Sequence, residues 1–201
     1  MLGAQDASSK SEEQPAVTTH CLSCSNPSLL AVMPTGGGKT ITFALPAFTE
    51  RGTSAVTLVL VPFRGPAVSH LANLERYKVP SVYYQEETEL AELLLQQANI
   101  IIMTYDTFVG AIAKYDLRRI NIRRVVIDEA HTIHTDASWR TVTEVVAPLV
   151  VGLGRQISSF DGDNQYQYIL NLPCSASSPV SRSPCSNEHG KTESSVLNQL
   201  V

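Results

Sequence analysis

Residues 29–40 read Leu-Leu-Ala-Val-Met-Pro-Thr-Gly-Gly-Gly-Lys-Thr, and this stretch decides how the rest of the chain is interpreted. A short apolar run is followed by a glycine-rich turn, and Lys-Thr then opens an amphipathic run. That order predicts a buried strand, a tight turn and a helix. Glycines let backbone N–H groups approach an anion closely, and the N-terminus of a helix adds partial positive charge. The stretch therefore predicts a loop that binds the phosphates of a nucleotide.

The side chains of this loop predict how a nucleotide and its metal ion are held. We expect Lys39 to reach the β- and γ-phosphates and the Thr40 hydroxyl to coordinate Mg²⁺, so ATP and Mg²⁺ are the predicted cofactors. The predicted nucleotide-binding residues are Thr35, Gly36, Gly37, Gly38, Lys39 and Thr40. The strict phosphate-loop pattern has a glycine where this chain has Met33. An ordinary flexible loop that ends in a helix is the alternative interpretation.

A second motif follows the apolar run of residues 125–127, which reads Val-Val-Ile before Asp-Glu-Ala-His. A phosphate-loop enzyme needs one carboxylate to hold Mg²⁺ and a second to orient or deprotonate the attacking water. We assign the metal to Asp128 and the water to Glu129, and together with Lys39 and His131 they form the predicted catalytic set. The alternative is an acidic helix N-terminus beside a solvated histidine.

Composition limits the class of protein. The chain has 201 residues, of which 43% are hydrophobic and 17% are charged, which is typical of one globular domain with appendages. Its net charge of −4 excludes a global basic footprint for nucleic acid. No apolar run is long enough to cross a membrane and no signal peptide is apparent, so we expect an intracellular protein without a membrane partner. The four cysteines allow a zinc site, although free thiols are the favoured interpretation.

Strand-like and helix-like segments alternate along residues 29–152. This alternation predicts an α/β fold with a parallel sheet covered by helices on both faces. Functional residues are then expected at the carboxyl ends of the strands, where the glycine loop and Asp128 both fall. We expect residues 1–28 to be a flexible leader and residues 153–201 to be an irregular, largely disordered tail. The arginines at positions 118, 119, 123 and 124 are interpreted as a solvated edge.

Taken together, the glycine loop and Asp-Glu-Ala-His resemble the first motor domain of superfamily-two helicases, and Met33 is typical of the RecQ-like branch. Residues 57–64 and 102–107 are similar to two further motifs of that branch. The resemblance implies a RecA-like, phosphate-loop NTPase fold of DEAH type over residues 29–152. It also implies that Pro62, Arg64 and Thr104 contact the backbone of single-stranded DNA, a role that needs only cations, hydroxyls and N–H groups.

The resemblance implies an ATP-dependent 3′–5′ DNA helicase that acts on single-stranded or partly duplex DNA, with the nucleus as its location. Where the family carries an adenine-binding element with an aromatic residue and a glutamine, this chain has a serine-rich leader with Gln14 nearby and no aromatic residue. A second motor domain is not present in the sequence, so we expect a fragment that is at most a weak NTPase unless another chain supplies that domain. Two poorer matches are Trp139-Arg140, for an aromatic-arginine pair, and residues 175–177, for a third motif. A non-catalytic module that binds DNA or a partner protein is the alternative function.

Overall fold

A computed structural model of the chain describes residues 8–22, 28–85, 98–115, 120–132 and 164–171. Four helices are described: α1 (Glu13–Leu22), α2 (Lys39–Thr49), α3 (Arg64–Arg76) and α4 (Tyr105–Lys114). Six strands accompany them: β1 (Ser28–Pro34), β2 (Val56–Val61), β3 (Ser81–Tyr83), β4 (Ile100–Thr104), β5 (Ile122–Asp128) and β6 (Asn164–Asn171). None of the described helices is long and apolar enough to cross a membrane.

The six strands form one sheet in the order β1-β6-β5-β2-β4-β3. Strands β5, β2, β4 and β3 pair in parallel, whereas β6 is antiparallel to both of its neighbours, β1 and β5. Since β1 and β5 both oppose β6, they run in the same direction. Their carboxyl ends, at Pro34 and Asp128, therefore lie at the same edge of the sheet, which brings the two sequence motifs together.

Helices cover both faces of the sheet, as the sequence predicts. All six residues of β2 are buried, and their side chains alternate between the faces. Leu58 and Leu60 join the core cluster that contains Phe108 of α4. Val59 and Val61 join the cluster on the opposite face, which α1, α2 and α3 cover with Val17, Cys21, Phe43, Ala44, Ala47, Ala67 and Leu74. The continuous β-branched run thus reflects burial on both faces.

Two segments outside the predicted domain form regular structure. Residues 13–22, in the expected flexible leader, form α1, because Val17 and Cys21 are one turn apart and both are buried against the sheet face that α2 also covers. Residues 164–171, in the expected disordered tail, form β6 through backbone pairing with two strands. The expectations of a flexible leader and a disordered tail are therefore wrong for these two segments. The apolar spacing of residues 86–98 and 138–151 predicts two further helices, and both segments lie almost wholly outside the described residues, as do Trp139, Arg140 and residues 175–177.

Arg124 is not part of a solvated edge. Its side chain is buried, with 3% of its surface exposed. The guanidinium donates to the Thr57 hydroxyl at 2.9 Å, to the carbonyl oxygen of Cys21 at 3.2 Å and to the Glu50 carboxylate at 3.0 Å. Arg124 thus links β5, β2 and the ends of α1 and α2 at the amino edge of the sheet. Arg118 and Arg119 lie outside the described residues.

Candidate nucleotide-binding site

The glycine turn between β1 and α2 has the backbone geometry that a phosphate cradle needs. The N–H of Gly37 donates to the carbonyl of Pro34 at 2.9 Å, which closes the turn. Gly36 and Gly38 have positive φ angles of 76° and 84°, a conformation that glycine adopts without strain. A Cβ atom on Gly37 would press against the Pro34 carbonyl. Glycine is therefore required at three successive positions for different reasons.

Gln14 on α1 braces this turn from outside. Its side-chain N–H donates to the Gly38 carbonyl at 3.0 Å, and its carbonyl oxygen accepts from the Lys10 N–H at 2.8 Å. Gln14 is buried, and a Cβ on Gly38 would collide with its amide group. The sequence shows only a glutamine upstream of the loop, whereas the structure shows that α1 brings its side chain to the loop.

Lys39 lies between the two acids of the second motif. Its Nζ is 2.9 Å from Glu129 Oε1 and 3.5 Å from Asp128 Oδ1. The Lys39 and Asp128 side chains are at most 9% exposed and that of Glu129 is 16% exposed. Glu129 also has a positive φ of 50°, a strained conformation of the kind that clusters at functional sites. The structure thus joins Lys39, Asp128 and Glu129 in one charged cluster.

His70 on α3 belongs to this cluster, although the sequence analysis missed it. Its Nε2 lies 2.8 Å from Asp128 Oδ2, and its Nδ1 lies 3.0 Å from Thr40 Oγ1. The apolar spacing of residues 64–76 in the sequence predicts a helix whose buried face includes Val68. In the structure, α3 buries His70 instead and leaves Val68 52% exposed. The buried face of α3 consists of Ala67, His70 and Leu74. A histidine at helical spacing from two apolar residues is the sequence feature that could have identified His70 as a buried polar residue.

The surroundings of Asp128 keep its carboxyl ionised. Burial raises the pKa of this carboxyl, but the hydrogen bond from His70, together with the nearby Lys39, outweighs burial and leaves the pKa below its usual value. The Asp128 carbonyl accepts a hydrogen bond of 2.6 Å from the buried Tyr105 hydroxyl. Burial is also the main reason that the pKa of Tyr105 is raised. Tyr105 therefore fixes the end of β5 as a neutral hydrogen-bond donor.

The cluster opens into a cavity of about 320 Å³. The cavity is lined by Lys10, Gly36, Gly37, Gly38, Lys39, Thr40, Pro66, Ser69, His70, Asn73, Tyr77, Asp128 and Glu129. Asp128 Oδ1 is buried without a hydrogen-bond partner in the described part of the chain. Mg²⁺ takes oxygen ligands and is commonly held by one or two protein groups together with phosphates and waters. The Thr40 hydroxyl and Asp128 carboxylate fit that requirement. Among the described residues, no group of three or more His, Cys, Asp or Glu side chains is arranged to hold a metal ion.

The remaining predicted site residues occupy the same edge of the sheet. His131 Nδ1 is 3.5 Å from Glu129 Oε2, and Thr35 is exposed on the glycine turn. Arg64 is exposed at the start of α3, while Pro62 is buried after β2. Thr104 ends β4 and caps α4, because its hydroxyl accepts from the Thr107 N–H at 3.2 Å. Arg64 is thus accessible to a ligand, whereas Pro62 and Thr104 have evident structural roles.

Sequence and structure comparisons agree with this geometry. The DEAD/DEAH box helicase family matches residues 11–161. The ATP-dependent DNA helicase hus2/rqh1 of Schizosaccharomyces pombe is 30% identical over 117 residues, which are 51% of this chain and 9% of that protein. The ATP-dependent DNA helicase RecQ of Synechocystis sp. is 29% identical over 136 residues, which are 63% of this chain and 28% of that protein. The RecQ-like DNA helicase BLM of Xenopus laevis is 32% identical over 116 residues, which are 51% of this chain and 8% of that protein.

A solved structure shares the fold. The DEAD-box helicase Mss116 bound to ssRNA and UDP-BeF superposes with a TM-score of 0.56 at 20% identity, over 68% of this chain and 31% of that one. The RecA-like architecture predicted from the sequence is therefore confirmed, with β6 as an antiparallel member of the sheet. The chain spans less than a third of the length of each of these proteins. The chain belongs to the DEAD/DEAH box helicase family, within which it is similar to RecQ-like helicases.

Proposed function

We propose that the chain is the ATP- and Mg²⁺-binding motor domain of a RecQ-like, ATP-dependent 3′–5′ DNA helicase. One observation supports this most strongly: Lys39, at the glycine turn, is within 3.5 Å of both Asp128 and Glu129, although about 90 residues separate them. A phosphate-loop lysine beside two acids at a strand end is the arrangement that phosphoryl transfer needs. Family membership and the fold support the same proposal.

The roles of the residues follow from their positions. The glycine turn and the first residues of α2 line the cavity, and the N-terminus of a helix suits the phosphate chain. Lys39 would exchange its ion pair with Glu129 for the β- and γ-phosphates. Thr40 and Asp128 would hold Mg²⁺, which offsets phosphate charge when bound. Glu129, released from Lys39, would orient the attacking water, and His131 beside it would assist.

The nucleic-acid partner is single-stranded or partly duplex DNA in this proposal, contacted at the carboxyl ends of β2 and β4. Val61 and Thr104 are paired in the sheet register, so the segments that follow them form one surface. The exposed Arg64 supplies a cation there for phosphate contacts. A second motor domain would be needed for unwinding and for full hydrolysis, because an arginine finger is worth about 10³- to 10⁵-fold in the turnover of phosphate-loop enzymes. An intracellular, nuclear location is part of the same proposal.

The proposal is tested by measuring the equilibrium affinity for a fluorescent ATP analogue with Mg²⁺. We expect Lys39→Ala to weaken binding at least about tenfold, since a hydrogen bond to a charged group contributes roughly 1.5–3 kcal/mol. Arg123→Ala, at the opposite edge of the sheet, is the matched loss of positive charge and should leave the affinity unchanged. Equal affinities of wild type and Lys39→Ala would contradict the proposal. Salt-dependent binding of single-stranded DNA without any nucleotide binding would instead support the non-catalytic module.

A further inference from the structure

His70 joins the two groups that are proposed to hold the metal ion. It lies on α3, an element that carries none of the nucleotide-binding residues predicted from the sequence. Its ring bridges Thr40 Oγ1, 3.0 Å from Nδ1, and Asp128 Oδ2, 2.8 Å from Nε2. Thr40, His70 and Asp128 are each at most 9% exposed, so water does not compete with these bonds. A buried side chain is therefore hydrogen-bonded to both candidate metal ligands at once.

The direction of the two bonds follows from the chemistry of the partners. An ionised carboxylate only accepts hydrogen bonds, so the proton of this bond belongs to Nε2. If Nε2 carries the only ring proton, Nδ1 is an acceptor and receives the proton of the Thr40 hydroxyl. The hydroxyl proton then points at His70, and the oxygen lone pairs of Thr40 are left for a cation. On Asp128, Oδ2 is occupied and Oδ1 is left without a hydrogen-bond partner.

The position of the ring is also fixed by packing. Phe43 of α2 contacts His70 edge to face, with ring centroids 5.4 Å apart and an interplanar angle of 77°. Phe43 is fully buried, so the histidine ring is held by one apolar neighbour and two polar partners. A side chain that is fixed in this way can determine the orientation of its partners rather than follow them.

We propose that His70 is a positioning residue for the magnesium–nucleotide site: as the Nε2–H tautomer, it orients the Thr40 hydroxyl and the Asp128 carboxylate so that one oxygen of each is available to Mg²⁺. This inference rests on the proposed function. Outer-shell partners of metal ligands contribute in this manner, and changing them typically lowers metal affinity about 10- to 100-fold.

The binding test compares two substitutions that separate hydrogen bonding from packing. His70→Phe retains an aromatic ring against Phe43 but has no nitrogen atoms, whereas His70→Gln offers a carbonyl oxygen for Thr40 and an N–H for Asp128. The measured quantity is the ratio of ADP dissociation constants in EDTA and in Mg²⁺. We expect His70→Phe to reduce this ratio about tenfold with little change in the EDTA value, and His70→Gln to recover most of it. An unchanged ratio in folded His70→Phe would overturn the proposal.

A measurement on the wild-type chain covers the case in which a variant does not fold. Long-range ¹H–¹⁵N correlation spectra of the nucleotide-free protein report which nitrogen of His70 carries the proton. We expect Nε2 to be protonated and Nδ1 to be a hydrogen-bond acceptor, and either the opposite tautomer or a ring protonated at both nitrogens would overturn the proposal. Since this spectrum needs no nucleotide, it separates failure of the inference from failure of the proposed function. Wild-type protein that shows the expected tautomer but does not bind nucleotide would contradict the proposed function, and His70 would then have no metal ligands to position.

Discussion

Two buried charged clusters lie at opposite edges of the same sheet, and they differ in what completes them. The site cluster, at the carboxyl edge, consists of Lys39, His70, Asp128 and Glu129. The clamp cluster, at the amino edge, consists of Glu50, Thr57 and Arg124. In the clamp cluster, the guanidinium of Arg124 donates to a carboxylate, a hydroxyl and a main-chain carbonyl. In the site cluster, Asp128 Oδ1 is left without a hydrogen-bond partner beside a cavity.

This difference distinguishes a cluster that stabilises the fold from a cluster that is available to bind a ligand. A buried charge whose hydrogen-bonding capacity is met by the protein holds elements together, and removing it destabilises the fold. Asp128 Oδ1 accepts no hydrogen bond and is near Lys39 Nζ at 3.5 Å, so it remains available to a ligand, which in the proposed function is Mg²⁺. We therefore expect substitutions in the clamp cluster to change stability and those in the site cluster to change ligand affinity.

The largest expected effect is the loss of stability on replacing Arg124. Arg124→Ala leaves the Glu50 carboxylate without its partner and the Thr57 hydroxyl and Cys21 carbonyl without a donor. We expect the free energy of unfolding to fall by about 3 kcal/mol, because breaking a buried ion pair costs 3–5 kcal/mol and Glu50 is partly exposed. Denaturant titration measures this change. Arg123→Ala, the neighbouring half-buried arginine, is the control and should cost about 1 kcal/mol or less. Equal losses of unfolding free energy in the two variants would mean that the clamp cluster does not stabilise the fold.

A smaller effect is expected at the glycine turn. Gly38→Ala introduces a side chain at a φ of 84° and a collision with Gln14, so α1 must shift away from the loop. Gly52→Ala has a similar φ of 81° in open space and measures the backbone strain alone. We expect losses of about 2 kcal/mol for Gly38→Ala and about 1 kcal/mol for Gly52→Ala, within the 1–3 kcal/mol range for such strain. If thermal unfolding shows the same loss for both, Gln14 does not brace the turn.

The smallest effect concerns Cys21, whose carbonyl belongs to the surroundings of the clamp cluster. Burial raises the pKa of its thiol from 9.0 to about 12, and the charge of Arg124 opposes this only in part. Because the folded pKa is above the unfolded one, the stabilisation is complete below about pH 9 and is lost as the pH rises toward 12. Between pH 8 and pH 10, wild type should lose about 1 kcal/mol more than Cys21→Ala. Parallel pH profiles of the two proteins would show that the thiol is not buried.

The sequence predicts those parts of the molecule in which the functional residues are neighbours along the chain. The glycine turn needs glycines in succession, and Asp128 and Glu129 follow a buried strand, so both motifs can be recognised without a fold. Burial of β2 on both faces also follows directly from its β-branched run. Family membership then follows from the combination of these motifs.

The residues whose roles could not be predicted from the sequence have partners that are far away along the chain. His70 is a lone histidine on a helix, and only the packing of α3 shows that it meets Thr40 and Asp128. Arg124 looks like part of a basic run because its partners, Glu50 and Thr57, lie more than 60 residues away. Residues 165–168 of β6 alternate between glutamine and tyrosine, which is a strand pattern, but the place of β6 in the sheet comes from backbone pairing with the distant β1 and β5. Local patterns carry no information on such long-range partners.

The measurement that tests the central claim most directly is paramagnetic broadening of backbone amide signals by ADP with Mn²⁺ in place of Mg²⁺. A metal–nucleotide complex held by the site cluster broadens the amides of residues 36–40, Asp128 and Glu129 most strongly, and those of Glu50, Thr57 and Arg124 least, because these residues lie at the other end of the strands and helices. The Lys39→Ala variant should show little of this broadening at the same ligand concentration. Broadening centred on the amino edge of the sheet, or a pattern unaffected by Lys39→Ala, would contradict the account.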